Sequence, residues 1–522
     1  MRCTARKTKT RCCLSTRPCY GRATAGRPYL ELRKFPKDVC MSIRIDGGVV
    51  VGWSGTGHEI IPNGSVLIDG NTIKSVGVDK SQPADRVIDA SGKIVCPGFI
   101  NLHVHSQLNV GDYLLTDVTK KDYLAANWFV FGAPLKEKVE PPAPPAVALG
   151  RKYALYSALR NGATTVLDPG GGPGALDDYV AIVGQTGGRV FFSPPFRSQD
   201  IFTDAEGRHY YEERADKGRP GLKLAVDFIK KFHGAHNGRL QGILNPAQAE
   251  TCEPSLLKES VAAAKQLDVP LHIHAGGNFR EFLEILNKHR KPVVEFLADM
   301  GILGPRTTLG HMAITGGHSR VDYPLGDEMK ILAESGATVG HCPHKCAKMA
   351  FAMESFDRYL EAGVRIGLGT DTYPLDLVSE MRYASLISRL VDRKATGARA
   401  ADVFNAATIG GANALGRSDL GRLAAGAKAD VVVINLRTTR YGPVRDPINA
   451  LVEYGSGADV ETVVVDGEVV IENGRSTRIN DDELFAEAEA GAKRAWDAWS
   501  GRDWNGRSVE QIIPPAFPTR NL

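Results

Sequence analysis

Short apolar runs alternate with segments of helical periodicity through the middle of the chain, from about residue 98 to residue 417. Runs of five to seven residues bounded by turn residues predict buried parallel strands. Between them, segments such as 254–267 repeat leucine, valine and alanine at helical spacing. The pattern predicts eight strands, namely FINLHVH (99–105), ATTVLD (163–168), RVFFS (189–193), LQGIL (240–244), LHIHA (271–275), TTLGH (307–311), ATVGH (337–341) and RIGLGTD (365–371).

Eight consecutive strand–helix units favour a TIM-type (β/α)8 barrel over residues 98–417. The functional groups of such barrels lie at the C-terminal ends of the strands. Four of the predicted strands end at or next to His105, His274, His311 and Asp371. We therefore expect these imidazoles and this carboxylate to meet at one face of the barrel.

The segments on either side of the barrel, 41–97 and 418–476, have a different pattern. Here β-rich runs surround Asp–Gly turns, as in SVLIDGNTIKSVG (65–77) and VETVVVDGEVVIENG (460–474), which are hairpin signals. We expect the two flanks to form one small β-sandwich. The predicted fold class is thus α/β, a barrel with a β-sandwich domain formed from both of its flanks.

The last segment, 477–522, is predicted to be a C-terminal helix and tail. Leu484, Ala488, Ala492 and Trp496 recur at four-residue steps, which is typical of an amphipathic helix. Such a helix packs either on the barrel or at a subunit interface, and we expect a homo-oligomer.

Residues 1–40 differ in composition from the rest. They hold 11 of the 64 basic residues, 2 of the 60 acidic ones and five of the nine cysteines. An organelle transit peptide is one interpretation, and an upstream extension of the reading frame, with Met41 opening the folded protein, is the one that we favour. Without this leader the chain has 53 basic and 58 acidic residues, a net charge of −5, which gives no case for nucleic-acid binding.

The other four cysteines are scattered, and no apolar run approaches the ~18 residues that span a bilayer. Both features suit a cytoplasmic protein that acts on a small molecule, without a membrane or nucleic-acid partner. The scattered cysteines are Cys96, Cys252, Cys342 and Cys346.

His103 and His105 lie two residues apart on a predicted strand, so both imidazoles point to one face and can chelate a metal. His272, His274, His311 and Asp371 also lie at the ends of predicted strands, so this face of the barrel offers a set of imidazoles and a carboxylate to a metal. Such a set suits Zn²⁺ or Fe²⁺ and leaves a position for a water whose pKa falls to about 7. Asp371 can then take up a proton and return it to the leaving group.

Several stretches resemble the amidohydrolase superfamily, and in particular its cytosine deaminase and chlorohydrolase branch, over about residues 45–475. These are PGFINLHVH, HIHA, GHM, HCPHKCAKMA, GLGTD followed by EMR, and LAAGAKADVVVINL. The resemblance implies metal ligands at His103, His105, His274 and Asp371, and a nucleophile-orienting histidine at His311. It implies one divalent metal per chain, with Zn²⁺ first and Fe²⁺, Mn²⁺ or Co²⁺ as alternatives, because no lysine on the third or fourth strand could form a bridging carbamate.

Two further histidine patterns have competing interpretations. His272 would also point inward, and we expect it to support the metal ligands from behind or to be a buried structural histidine rather than to bind the metal. The stretch HCPHKC (341–346) could be a separate zinc site, but without a second cluster we place it on a barrel loop, where His341 contacts substrate.

The reaction type depends on two departures from the branch pattern. Deaminases of this branch carry a glutamate three residues after the fifth-strand histidine and often a histidine on the fourth strand, where this chain has Gly277 and Ala247. We therefore expect a hydrolase of non-peptide C–N bonds in amides, ureas or carbamates, similar to phenylurea and thiocarbamate hydrolases. The alternatives are a deaminase or dehalogenase of a heterocyclic ring and a non-catalytic scaffold.

The substrate is expected to be aryl or apolar. The segment after the first barrel strand is aromatic and includes Trp128, which we expect to line the pocket, although packing of this loop is the plain alternative. Arg197, after the third strand, is predicted to pair with a substrate carboxylate or to be solvated.

Overall fold

The computed structural model describes residues 42–108, 144–170, 176–204, 206, 208–214, 216–324, 326–502, 506–512 and 514–520. The leader and the aromatic segment with Trp128 lie outside the described residues, and the predicted domain boundaries stay predictions. Among the described residues, no helix is both long and apolar enough to cross a membrane.

The strands, in chain order, are β1 Ser42–Trp53, β2 His58–Asp69, β3 Thr72–Gly77, β4 Arg86–Asp89, β5 Lys93–Pro97, β6 Phe99–Asn101, β7 Ala163–Asp168, β8 Arg189–Phe192, β9 Gln199–Thr203, β10 His209–Glu213, β11 Leu240–Gly242, β12 Leu271–Ala275, β13 Thr307–His311, β14 Thr338–His341, β15 Arg365–Leu368, β16 Val431–Asn435, β17 Val460–Val465, β18 Glu468–Glu472 and β19 Arg475–Ser476.

The helices are α1 Pro144–Arg160, α2 Leu176–Thr186, α3 Gly218–Phe232, α4 Ala235–Gly238, α5 Pro254–Leu267, α6 Phe279–His289, α7 Val293–Asp299, α8 Glu328–Ser335, α9 Pro343–Lys348, α10 Phe356–Glu361, α11 Leu377–Asp392, α12 Ala400–Asn405, α13 Gly411–Ala414, α14 Pro447–Tyr454, α15 Asp481–Asp497, α16 Trp499–Arg502 and α17 Val509–Ile512.

The eight predicted barrel strands form two four-stranded parallel sheets, ordered β6-β7-β8-β11 and β12-β13-β14-β15. Parallel bridges between Leu244 and Leu271 and between Val104 and Asp371 join the two sheets at both edges. The eight strands therefore follow one another in parallel order, as the predicted barrel requires, and the predicted α/β fold class is confirmed. The regular pairing of β6 and β15 stops before Val104 and Asp371, which form a single parallel bridge with each other next to His103 and His105.

The flanks of the barrel meet in one mixed nine-stranded sheet. Strand β16, from the C-terminal flank, pairs antiparallel with β5 from the N-terminal flank, from Val431 opposite Pro97 to Asn435 opposite Lys93. The apolar run of β16 is buried on both faces. Val431 and Val433 pack in the core of the sheet, whereas Val432 and Ile434 pack in the core of the barrel. A two-residue repeat thus explains why the run is continuously apolar.

The C-terminal helix α15 begins after Asn480, whose side chain accepts hydrogen bonds from the backbone N–H groups of Asp482 and Glu483. Its buried positions include Leu484, Ala488 and Ala492, as their four-residue spacing predicts. The helix packs against α1, where Phe485 makes edge contacts with two tyrosine rings.

Candidate metal centre

The strand ends bring together the five side chains that the sequence nominates. The ring centroids of His103 and His274 are 4.6 Å apart, and those of His103 and His311 are 4.7 Å apart. Asp371 Oδ1 lies 3.5 Å from His105 Nε2, and its Oδ2 lies 3.6 Å from His311 Nε2. Two overlapping groups each have their ligand atoms within 4.8 Å of one another: His103 with His274 and His311, and His103 with His105 and Asp371.

The backbone at the centre is held in an uncommon conformation. Asp371 has φ 63° and His311 has φ 80°, in the left-handed region that non-glycine residues rarely adopt. The backbone N–H of Asp371 donates to the carbonyl of His103 at 2.8 Å, and the N–H of His105 donates to the carbonyl of Asp371 at 2.9 Å. These bonds between the first and last barrel strands fix the strained residue, as is common at functional sites.

The tautomer of His274 is fixed by its surroundings. Its Nδ1 lies 2.6 Å from the carbonyl oxygen of Ala247, which can only accept, so Nδ1 carries the hydrogen. The other nitrogen, Nε2, then has a lone pair, and it lies 2.9 Å from Nε2 of His105. Ala247 stands where related deaminases often carry a histidine on the fourth strand, and here its backbone carbonyl fixes the tautomer of His274.

A chain of hydrogen bonds fixes the tautomer of His103 in the same way. The side-chain amide of Asn245 donates to the carbonyl of Pro169, which leaves its oxygen to accept from His272 Nδ1 at 3.0 Å. His272 Nε2 is then an acceptor for the hydrogen on His103 Nδ1, also at 3.0 Å. His103 Nε2 consequently presents a lone pair to the centre, and His272 fixes the orientation of His103 by accepting this hydrogen bond.

The donor set fits a divalent cation. His103 Nε2 is buried, and no hydrogen-bond partner for it is found among the described residues. Burial, together with the neighbouring imidazoles, lowers the pKa of His103 and of His274 well below the usual value, so both are neutral. Burial and the charge of Lys345 do the same for His311. Lone pairs from neutral imidazoles that converge beside a carboxylate are the ligands that Zn²⁺ and related ions prefer.

The sequence analysis missed Lys345, the fifth residue of HCPHKC. This lysine, on α9, has a side chain that is 14% exposed, and its Nζ lies 3.7 Å from Asp371 Oδ2. The ammonium also donates to the carbonyl oxygen of Gly277 at 3.4 Å. The motif could have indicated this lysine, because it places Lys345 four residues after a histidine at the end of a predicted strand. Within the described chain, neither metal-binding group includes a cysteine, so the alternative zinc site in this motif finds no support.

Gly277 lies directly against His311. A Cβ atom at position 277 would be 2.8 Å from His311 Cδ2, which is closer than real Cβ contacts. The backbone N–H groups of Gly276 and Gly277 donate to the carboxylate of Glu281, each at 2.8 Å. Any side chain at position 277 would therefore have to displace the imidazole of His311.

The remaining predicted residues are placed as follows. His341, at the end of β14, is buried, and burial lowers its pKa to about 3. Arg197 forms an ion pair with the buried Asp200 at 2.8 Å. Trp128 lies outside the described residues. The predicted substrate contacts of all three stay predictions.

The comparisons with known proteins identify relatives that align along most of the chain. The 5-methylthioadenosine/S-adenosylhomocysteine deaminase of Carboxydothermus hydrogenoformans is 30% identical over 430 residues, 81% of this chain and 92% of the relative. The 5′-deoxyadenosine deaminase of Methanothermobacter thermautotrophicus is 32% identical over 447 residues, 84% of this chain and 97% of the relative.

Solved structures show the same fold at lower identity. An adenosine deaminase from Xanthomonas campestris with bound zinc has a TM-score of 0.73 at 22% identity, covering 87% of this chain and 98% of the other. Atrazine chlorohydrolase from Arthrobacter aurescens, complexed with zinc, has a TM-score of 0.73 at 24% identity, covering 86% of this chain and all of the other.

These names favour the heterocycle deaminase, given above as an alternative, over the amide or urea hydrolase to which Gly277 and Ala247 pointed. The sequence profile described as "Amidohydrolase family" matches residues 94–470, well over half of the chain. The chain therefore belongs to the amidohydrolase family, as its motifs predict, and is a hydrolase of that family.

Proposed function

We propose that this enzyme is a metal-dependent deaminase that hydrolyses an amino group from a heteroaromatic ring, with an aminopurine as the first candidate substrate. Two relatives at 30% and 32% identity, each aligned over more than four-fifths of the chain, carry the names of adenosine-type deaminases. The observation that carries the proposal is the placement of Asp371. Its two carboxylate oxygens lie within 4 Å of three imidazoles and one ammonium.

One divalent cation per chain, with Zn²⁺ first, would be held by His103, His105, His274 and Asp371. When bound, such an ion supplies Lewis-acid activation of water near neutral pH. Each of the four side chains offers an atom to one of the two ligand groups, and the tautomers of His103 and His274 are fixed so that a lone pair faces the centre.

Asp371 is the proton carrier in this proposal. It accepts a proton from the attacking water as the new C–O bond forms, and it delivers that proton to the amino group, which leaves as ammonia when the C–N bond breaks. His311, with Nε2 3.6 Å from Asp371 Oδ2, orients the water and the carboxylate. The overall reaction consumes one water for each ammonia released.

A second candidate, hydrolysis of an amide, urea or carbamate, is favoured by one observation. Position 277 carries no carboxylate to exchange a proton with a ring nitrogen, and a side chain there would meet His311. A carbonyl carbon is already electrophilic and needs no such group.

The experiment that tests the proposal combines metal analysis with a product assay on the full-length chain. Ammonia release is measured from 5′-deoxyadenosine, methylthioadenosine and aminotriazines, and amine release from aryl amides, ureas and carbamates. Ammonia from an amino-heterocycle, lost in Asp371→Asn and retained in the exposed control Asp227→Asn, supports the deaminase. Amine release from carbonyl compounds alone supports the second candidate. Protein without a stoichiometric metal would contradict both.

We also propose that the enzyme acts in the cytoplasm as a homo-oligomer. Cys96, Cys252, Cys342 and Cys346 are buried free thiols, which suits a reducing compartment. Leu386 and Leu390, one turn apart on α11, are 46% and 79% exposed and offer an apolar contact. Light scattering coupled to gel filtration tests the oligomeric state, and a monomer at micromolar concentration would contradict it.

A further inference from the structure

We propose that Lys345 is a substrate-binding residue that occupies the place of the missing glutamate. Its ammonium donates a hydrogen bond to an acceptor atom of the substrate next to the carbon under attack, and it stabilises the negative charge that develops there. The inference rests on the proposed function, because it assigns the residue that contacts the ring in that reaction.

The position of the ammonium carries the first step. Gly277 stands three residues after His274, where a deaminase of this branch would carry its glutamate, and Lys345 Nζ lies 3.4 Å from the carbonyl oxygen of this glycine. The same nitrogen lies 3.7 Å from Asp371 Oδ2. Among the described residues, no other lysine or arginine nitrogen comes within 4.0 Å of this carboxylate. The charge at this side of the centre is therefore positive where a glutamate would make it negative.

The environment of Lys345 holds the ammonium in place. The side chain is only 14% exposed, and Nζ lies 5.7 Å from the centre of the Phe351 ring, which is 8% exposed. The helix that carries it, α9, begins at Pro343, one residue after His341, the last residue of β14. A lysine that is largely buried and in contact with Asp371 and Gly277 loses little freedom when a ligand binds, unlike a solvated surface lysine.

The hydrogen-bonding capacity of the ammonium defines the ligand. An ammonium has three N–H donors and no acceptor. The hydrogen bond to Gly277 uses one donor, and the ion pair with Asp371 at 3.7 Å is too long to be a hydrogen bond, which leaves two donors for a substrate. The partner atom must therefore be an acceptor, such as an unprotonated ring nitrogen adjacent to the carbon that bears the amino group. A ring that presents an N–H or a C–H at that position would lose this bond.

The charge also explains how the site can work without a glutamate. When water adds to the ring carbon, the electron pair of the C=N bond moves to the adjacent nitrogen, and a positioned cation stabilises this charge. The proton that the amino group needs for departure comes from the attacking water through Asp371, so the balance requires no proton from position 277. Lys345 thus replaces proton exchange with electrostatic stabilisation.

Lys345→Met and Lys345→Arg test this role in the full-length holoenzyme, with Lys258→Met on the exposed face of α5 as the matched loss of one positive charge. We expect kcat/KM for the amino-heterocycle to fall about a hundredfold in Lys345→Met, mostly in kcat. Lys345→Arg should recover part of this loss, and Lys258→Met should match the wild type.

Two readouts separate substrate binding from a structural role. Removal of a cation beside Asp371 should leave metal affinity equal or higher, since like charges repel, whereas a residue that only holds Asp371 in place would lower it. The ratio of kcat/KM for an aminopurine to that for its analogue with carbon in place of the acceptor nitrogen should collapse in Lys345→Met. An unchanged ratio would overturn the proposal.

The outcomes also separate this inference from the proposed function. If the wild type acts only on ureas or amides, the deaminase proposal fails, and the same variants are then compared on that substrate; equal kcat/KM in Lys345→Met and wild type overturns the role of Lys345. If no substrate is turned over, calorimetric titration with 5′-deoxyadenosine decides. Lys345 binds this class only if the wild type binds the nucleoside at least tenfold more tightly than Lys345→Met.

Discussion

His272 Nε2 lies 3.0 Å from His103 Nδ1, and together they form the last link of a chain that begins at the carbonyl of Pro169. Each link has one acceptor and one donor, so the direction of every hydrogen bond follows from the fixed acceptor at the start. The tautomer of His103, and so the lone pair that it directs to the centre, is therefore determined two links away along this chain of hydrogen bonds. Partners of this kind orient metal-binding imidazoles and raise their basicity.

Replacement of His272 by leucine should weaken metal binding without touching a ligand. The variant loses the acceptor for His103 Nδ1, and we expect metal affinity to fall ~10–100-fold. His272→Gln keeps an acceptor oxygen and should lose less. Competition with a chromophoric chelator measures the affinity, with His289→Gln on α6 as the control. Equal metal affinities in the wild type and His272→Leu would contradict this role of the hydrogen bond between His272 and His103.

Asp371→Asn should remove proton transfer while leaving an oxygen ligand. We expect kcat to fall ~10²–10⁴-fold, as for the loss of a positioned acid–base group, with metal content reduced but measurable. The measurement is ammonia release by protein reconstituted with excess Zn²⁺. Activity within a few-fold of the wild type would assign the proton carrier to another group.

The fold could be predicted because its signals are local. Eight apolar runs in order predict the parallel barrel, and each run contains an observed strand. The five strand-end side chains meet because C-terminal ends of parallel strands converge, so His103 and Asp371 come together although 268 positions separate them in the sequence.

What could not be predicted depends on contacts between distant segments. Lys345 lies on a short helix after β14, and no periodicity indicates that its ammonium reaches Gly277, 68 residues earlier. The contribution of Ala247 is a backbone carbonyl, which no side-chain motif records. The direction of the hydrogen bonds through His272 depends on Pro169 and Asn245, which lie in the loops after β7 and β11.

Stability should decrease in acid because buried neutral histidines must be protonated on unfolding. Burial lowers the pKa of His341 from 6.5 to about 3. Below pH ~6.5, His341 is protonated in the unfolded chain but stays neutral in the folded chain. The contribution of neutral His341 to stability is therefore complete above this pH and is lost as pH falls towards 3.

His341→Leu should reduce the slope of the free energy of unfolding against pH, by up to the about 1.4 kcal/mol per pH unit that one proton contributes. Urea unfolding at about pH 7.5 and about pH 5, in the presence of a chelator so that metal does not contribute, measures the change. An identical slope in the wild type and the variant would show that His341 is protonated in the folded chain.

A buried ion pair links the barrel to the flanking sheet, and it gives a prediction for stability. Arg189, at the start of β8, is 1% exposed, and its Nη2 donates to Asp430 Oδ1 at 3.1 Å, just before β16. Asp430 also accepts from the backbone N–H of Asp466 at 2.8 Å. Asp430→Ala would leave the guanidinium buried with the carbonyl oxygen of Gly238 at 3.3 Å and the more distant Asp466 carboxylate at 3.6 Å.

We expect Asp430→Ala to lower the free energy of unfolding by about 3 kcal/mol, near the lower end of the range for breaking a buried pair, because Asp466 retains part of the attraction. The double variant Arg189→Met/Asp430→Leu should lose less than Asp430→Ala alone, since it leaves no buried charge unpaired. Chemical denaturation of the three proteins measures the difference. If the double variant were the least stable, hydrogen bonding rather than charge pairing would account for the contribution of Arg189.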